Sequence, residues 1–493
     1  MMKTKSVIVI GAGIGGITAA THLARGGLNV TVLEKNSRPG GRCDRFSRAG
    51  HRFDTGPTLF LMPSLYESEF RALGASMSEL LDLKRIDPTY HLVFDDGSQL
   101  ALTSDMKSMQ EQMEAFQPGS FQGLLRYLQE GGRHYQLALD KLVNRDFRKA
   151  SDFFNFQNVP LLFRLKPLTH HYHNMSALFD DPRLKAAFTF QDSYMGLSPF
   201  EAPATFSLMP YSELVQGVWY PKGGMYRVVE VLMDLAREAG AEFIFNSPVE
   251  RIETNSTHAL GVLLANGTKL EADLVLANAD LPYVYQTLLP QDGMAKALSR
   301  KHFSCSVISF FWGTDKTYEA LGPHTLFLAD NYRENFASID RDLDLPDNPS
   351  LYVHAPARID PSMAPHGEDT LTAIVPVGHL DENGERDWGA LRDEARQHVF
   401  RRLRTLGITD LEAHIKFEET YTPLSWRKRY NLVKGATHGL AHTLTQMAYF
   451  RPANRHARYQ NLYFVGASTH PGTGIPTAMV SGRLVAKRIM DET

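Results

Sequence analysis

At 493 residues the chain is long enough for two to four domains of roughly 100 to 200 residues each, or for one large composite. Hydrophobic residues make up 43% and charged residues 22%, which excludes disordered, collagen-like and disulfide-scaffold classes. With 52 Lys and Arg against 55 Asp and Glu, the formal charge is -3, so there is no basic field and no nucleic-acid partner is expected.

Along the chain, the first apolar run, Val7 to Ile10, is β-branched, only four residues long and ends in glycines. It reads as a strand buried on both faces of a parallel sheet, not as a secretion signal. Ile14, Ile17, Ala20, Leu23 and Ala24 then recur at helical spacing until Gly26-Gly27, and Val30 to Leu33 is a second strand. This is a βαβ unit of about 30 residues. Between strand and helix, Gly11-Ala12-Gly13-Ile14-Gly15-Gly16 satisfies G-x-G-x-x-G, and Glu34 follows 18 positions after Gly16, at the end of the second strand. Gly11 makes the turn, Gly13 lets a pyrophosphate approach the backbone, Gly16 permits close helix packing, and Glu34 accepts ribose hydroxyls. The helix N-terminus adds donors for the phosphates. These parts specify a dinucleotide but leave FAD and NAD both open.

The next stretch favours FAD. Pro39-Gly40-Gly41-Arg42 supplies a second bare-backbone loop and a guanidinium, a second clamp suited to a longer, bent dinucleotide. Further α/β signals come from a helix after Gly223-Gly224, from strands in "AEFIFN", "SPVERIET" and "LVLANAD", and from "NLYFVGAS" leading to an amphipathic stretch over Thr477 to Met490. Five segments follow: FAD-binding pieces at 1–90, 222–290 and 426–493, a substrate and membrane-facing insertion at 91–221, and a second substrate piece at 291–425. There is no internal repeat and no run of about 18 apolar residues. The two cysteines, Cys43 and Cys305, are too few for a disulfide framework or a thiolate metal site, and no metal is expected. A cytoplasmic protein attached peripherally to a membrane is the expectation.

With its GGR element the sequence resembles the flavoprotein group that contains amine oxidases, protoporphyrinogen oxidases and carotenoid desaturases. Asp54-Thr55-Gly56-Pro57-Thr58, Pro221-Lys222-Gly223-Gly224-Met225 and Thr469-His470-Pro471-Gly472-Thr473-Gly474-Ile475-Pro476 narrow this to a likeness to bacterial carotenoid desaturases of the phytoene and diapophytoene type. "QPGSFQGLLRYL" at 117–128, "HAPARIDPSMAPHGE" at 354–368 and "LTQMAYFRPANR" at 444–455 extend the likeness over nearly the whole chain. It implies an α/β fold: a Rossmann-like FAD-binding domain of the GGR type with an inserted α+β substrate domain. It also implies a cofactor set of Gly11, Gly13, Gly15, Gly16, Glu34, Gly40, Gly41, Arg42, Gly56, Pro57, Thr58, Val249, Asn278, Asp280, Gly466, Ala467, Gly474, Ile475, Pro476 and Thr477. Ser468 and Thr477 depart from the phytoene pattern toward the diapocarotenoid branch.

The implied activity is FAD-dependent desaturation of a membrane-dissolved carotenoid precursor, by hydride transfer to flavin from a carbon-carbon single bond. The resulting allylic cation then loses a proton, which calls for an apolar tunnel and a base. Asp152, in "DFRKASDFFNF", is the resemblance's candidate for that base. Terminal-methyl oxygenation and flavin-dependent carotenoid isomerisation stay open as alternatives. Quinone and oxygen both suit reoxidation. The apolar residues between Phe153 and Leu168, with basic neighbours in "RDFRK", suit an element lying on a bilayer or a helix packed on the substrate domain. His170, His171 and His173 lack a carboxylate at ligand spacing, His438 and His442 read as structural, and His470 reads as part of the flavin-side loop.

Overall fold

A computed structural model describes residues 4–381, 384 and 386–493. Its centre is a five-stranded parallel sheet ordered Leu462–Phe464, Leu274–Ala277, Ser6–Ile10, Asn29–Leu33 and Glu242–Ile244. Val7 to Ile10 are all buried because helices cover one face and a three-stranded antiparallel sheet, Val249–Thr254, Ala259–Leu264 and Lys269–Glu271, packs toward the other. The strands come from three stretches far apart in sequence, and the central strand Ser6–Ile10 binds a neighbour from each of two of them.

The helices Ile14–Arg25 and Ile475–Glu492 meet through small residues. A Cβ on Gly482 would stand 2.8 Å from the Gly15 carbonyl oxygen and 2.8 Å from Thr18 Cβ. This contact ties the C-terminal helix to the first one, and so the last segment to the first.

The second body is a seven-stranded mixed sheet, ordered Ile415–Tyr421, Ser306–Thr314, Asp369–Val377, Leu351–His354, His324–Leu328, Tyr90–Phe94 and Gln99–Leu102. Tyr90–Phe94 and Gln99–Leu102 come from the first insertion and join this sheet through the parallel pair with His324–Leu328. The two insertions therefore share one sheet. A helical layer from Met106–Phe116 to the π-helical turn Ser212–Gln216 covers one end. Within it, residues 150–164 form two short helices, Ala150–Phe153 and Val159–Arg164, instead of a continuous amphipathic one. The ribbon of Leu83–Ile86 with Val218–Pro221 joins the bodies.

Candidate active site

The glycine loop is built by backbone contacts. Gly11 turns at φ +96° and donates its N–H to the Leu33 carbonyl at 2.7 Å, closing strand onto strand. Asn278 donates its backbone N–H to the Ile10 carbonyl at 2.8 Å and its side-chain amide to the Gly11 carbonyl at 3.1 Å. A Cβ on Gly16 would lie 2.4 Å from the Gly11 oxygen. Gly16 thus packs behind the loop, while Gly11, Gly13 and Gly15 border a cavity. The helix Ile14–Arg25 begins at Gly13 with no side-chain cap, leaving its first N–H groups for an anion. Glu34 is buried beside it. Its Oε2 accepts the Ala12 N–H at 2.9 Å, and its Oε1 accepts the backbone N–H and the amide of Asn36 at 2.8 and 2.9 Å. Burial raises its pKa against these donors.

The second clamp rests on the first. Gly40 (φ +118°) donates to the Ala12 carbonyl at 2.8 Å, and its Cβ would stand 2.3 Å from the Cys43 carbonyl oxygen. Gly56 comes so close under this loop that a Cβ would lie 1.9 Å from the Arg42 carbonyl oxygen. Arg42 donates to the Thr437 carbonyl at 2.9 Å, and burial lowers its pKa while Asp280 raises it. Asp280 accepts from Ser468 Oγ at 2.6 Å and from the Val433 N–H at 3.1 Å. Its own burial pushes its carboxyl above the usual range, and Arg42 and Arg451 pull the other way. Opposite, the helix Ile475–Glu492 starts at Gly474, again without a side-chain cap and with Pro476 in its first turn.

These groups surround one cavity of about 650 Å³. Of the twenty positions that the resemblance assigns to the cofactor, all but Gly16 border it, Val249 included. Two uncapped helix N-termini, the buried carboxyl of Glu34 and glycines whose Cβ atoms would fill the loops fit a dinucleotide. The cavity continues past Thr58 between apolar walls that include Leu139, Leu142, Phe206, Met209, Phe336 and Ile339. The wall is not wholly apolar: Tyr90, Tyr194 and Tyr352 reach it, and the Tyr352 hydroxyl is 2.8 Å from Thr58 Oγ1.

Asp152 stands elsewhere. It is exposed, does not border the cavity, and accepts the backbone N–H groups of Arg148 and Lys149 at 2.9 and 2.8 Å. Its place at the start of a four-residue helix, with Asp152 facing water, corrects the expectation that it faces a substrate. His438 and His442 require the opposite correction, since they lie in an irregular loop on the cavity wall. His442 Nε2 accepts the Thr473 N–H at 3.1 Å, and burial holds both rings neutral. His470 borders the cavity and donates from Nε2 to the Leu142 carbonyl at 3.1 Å. His171 finds its carboxylate 21 residues away: Asp192 at 2.9 Å on Nδ1, with Tyr127 at 2.8 Å on Nε2. This buried triad organises the helical layer.

Two features escaped the sequence reading. Arg451, within "YFRPANR", is fully enclosed and donates to the carbonyls of Leu440, Ala441, Gln446, Ala467 and Thr469, pinning the C-terminal loop. Nothing in a single arginine signals that. The tyrosines are scattered over three elements and carry no spacing that groups them. The apolar segment, by contrast, is exposed over much of its length: Phe156 is 96% exposed, Phe163 79% and Leu168 76%, while Leu165 is buried. Phe153 stacks on Tyr449 at 5.8 Å, and Phe147 meets the cavity-lining His470 edge-on at 5.1 Å, so the chain just before this patch packs against the cavity wall. The basic neighbour Arg148 is engaged by Asp146 and Asp491. Among the described residues no helix is long and apolar enough to cross a membrane.

A family model described as flavin containing amine oxidoreductase matches residues 14–490. Among curated proteins, the phytoene desaturase of Fusarium fujikuroi is 40% identical over 511 aligned positions, covering 99% of this chain and 90% of that protein. The zeta-carotene-forming phytoene desaturase of Myxococcus xanthus is 41% identical, covering 99% and 94%. A 4,4'-diapophytoene desaturase of Staphylococcus aureus (strain Newman) is 30% identical, covering 99% of each. Among solved structures, putrescine oxidase bound to putrescine superposes with a TM-score of 0.65 at 16% identity over 99% of both chains, a likeness of fold alone.

Proposed function

We propose, from the premise that this chain belongs to the flavin-containing amine oxidoreductase family, that it is a carotenoid desaturase acting on a phytoene-class polyene. FAD is its cofactor. One observation carries the reading: the dinucleotide cradle opens without interruption into an apolar extension of the same cavity. A small charged amine has no use for such a wall, whereas a hydrocarbon chain does.

Glu34 and the Gly11 to Gly15 loop would hold the adenosine and pyrophosphate end, with Arg42 and the Gly40-Gly41 loop as the second clamp. Thr58 and the loop from Thr473 to Thr477 would border the redox end. Bound there, FAD supplies a hydride acceptor. The chain's own part is to hold the polyene in register, exclude water, and stabilise and then deprotonate the cation left by hydride loss. The start of the helix Ile475–Glu492 presents a positive dipole end to that region, which favours an acceptor that gains negative charge.

The substrate comes from a bilayer, and the exposed Phe154, Phe156, Leu162, Phe163 and Leu168 form the face that meets it. The start of this segment packs near the cavity rim through Phe147 on His470, which gives a polyene a short route from acyl chains to the protein wall. Electrons leave to a membrane quinone or to oxygen.

The test is co-expression in cells that accumulate phytoene or diapophytoene, with absorption and mass of the extracted pigment recorded. Loss of hydrogen pairs with a red-shifted chromophore is the expected result, and the responsive precursor gives the chain length. Oxygen gained only by an already coloured polyene, or a geometric isomer of unchanged mass, would replace desaturation by methyl oxidation or isomerisation.

A further inference from the structure

Behind the wall that carries Thr58 lies a group of hydroxyls with one carboxyl, which hydride transfer alone does not need. Tyr90 opens the strand Tyr90–Phe94, Tyr194 lies in the 3-10 helix Phe190–Met195, and both border the cavity. Their hydroxyls are hydrogen-bonded to each other. Tyr90 also donates to Glu213 Oε1 at 3.4 Å, and Gln191 Nε2 donates to Glu213 Oε2 at 3.0 Å. Glu213 sits in the π-helical turn Ser212–Gln216, is 2% exposed, and does not itself reach the cavity. From the remaining neighbours, Tyr352 faces the two tyrosines, and Tyr127, backed by Asp192 and Glu130, faces Glu213 from the helix Ser120–Ala138.

The groups facing this carboxyl are thus tyrosines, an amide and distant acids, with no cation to pair it among the described residues. Both of its oxygens accept, Oε1 from Tyr90 and Oε2 from Gln191, while no positive charge among the described residues offsets the cost of ionising it in so buried a place. Standing at the end of a hydroxyl chain that starts at the cavity, this carboxyl is placed to take up a proton. Burial pushes the Glu213 pKa up to about 8, which makes its ionised form a stronger base than an exposed carboxylate.

We propose that Tyr90 and Tyr194 relay a proton from the cavity to Glu213, and that Glu213 is the final acceptor of the proton lost as each double bond forms. This rests on the desaturase reading above. In each cycle one hydrogen would leave its carbon with the C–H electron pair, as hydride to the acceptor that bound FAD would supply. The neighbouring carbon then loses H⁺ to a tyrosine oxygen while that tyrosine's own proton passes to the Glu213 carboxylate. The C–H electron pair left behind becomes the second bond of the alkene. The substrate has lost H⁻ and H⁺, FAD is reduced, Glu213 is neutral, and Glu213 gives its proton to water before the next turnover. Tyr90 and Tyr194 are the residues that meet substrate, and Glu213 is a positioning residue acting through them.

The experiment uses full-length FAD-loaded protein with phytoene in phosphatidylcholine vesicles, reading product formation against pH. Wild-type kcat should rise as pH rises through about 8, because the relay needs the carboxylate. Glu213→Gln should lower kcat on the order of 100-fold with KM unchanged and abolish that rise, and Glu213→Asp should restore part of both. Infrared spectra of the apoprotein should show a protonated buried carboxyl that titrates near the same pH and is missing in Glu213→Gln. If Glu213→Gln keeps the wild-type kcat and pH profile while the wild type forms product, the relay is overturned and the desaturase reading stands. A flavin-loaded wild type that forms no conjugated product overturns both. Should Glu213→Gln fail to fold, the double variant Tyr90→Phe with Tyr194→Phe carries the test. It should lose the same rate and the same pH rise, and wild-type behaviour there overturns the relay.

Discussion

In the dinucleotide half, the decisive contacts are between backbones: Gly16 against the Gly11 carbonyl, Gly40 against Cys43, Gly56 against Arg42. In the substrate half they are between side chains delivered by distant elements, as where Tyr90 meets Tyr194 and Glu213, both more than a hundred residues further along the chain. The first kind of site tolerates almost no added atom, since backbone cannot move aside without moving its strand or helix. The second tolerates small changes of shape but not of chemistry.

Substitutions can break or sharpen this contrast, and the largest effect belongs to the backbone-built half. Gly56→Ala puts a methyl 1.9 Å from the Arg42 carbonyl oxygen and should cost about 3 kcal/mol or more, lost with most of the bound flavin in thermal unfolding and visible spectra. Full yellow colour with wild-type melting would show that the loop relaxes and that the two halves are alike. Next comes Glu34→Arg, which removes the acceptor of the Ala12 and Asn36 N–H groups and repels the ribose end. Purified protein should be colourless yet folded, and retained flavin would withdraw the ribose assignment.

On the substrate side, replacing Phe156 and Phe163 by Asp should weaken vesicle binding by about tenfold or more per residue while the melting temperature barely moves. Their side chains are in water already, and only a bilayer rewards them, by about 1.5 to 3 kcal/mol each. Unchanged co-sedimentation with vesicles would make the patch an interface of another kind. The smallest effect is expected at Asp152→Ala, which removes two backbone acceptor contacts at the start of a short exposed helix and should cost about 1 kcal/mol or less. Single-turnover flavin reduction measured alongside decides its chemistry: a rate loss beyond tenfold would return Asp152 to the reaction.

Which of these features a reader of the sequence finds follows from how each is encoded. The glycine fingerprint, Glu34 and the GGR loop are local, because a turn, a positive φ or a close backbone approach restricts the residue at that very position. Gly40 at φ +118° and Gly11 at φ +96° are of this kind. The exposure of Phe156 was only half legible, since a dense apolar run with charges inside it suits a bilayer-facing element and a helix packed on the substrate domain alike. Asp152 misled because an acid near aromatic residues looks the same in sequence whether it lines a tunnel or caps a helix.

By itself, then, the sequence pointed to a dinucleotide loop and the α/β class, because each depends on short-range backbone geometry that few residue types permit, and its GGR loop favoured FAD over NAD. Only the tertiary structure decided that both insertions share one sheet, that His438 and His442 reach the cavity, and that Tyr90, Tyr194 and Glu213 converge behind it. Those facts depend on how separate elements pack, and burial, which gives Glu213 its unusual basicity, is a property of the packed neighbours and not of the residue.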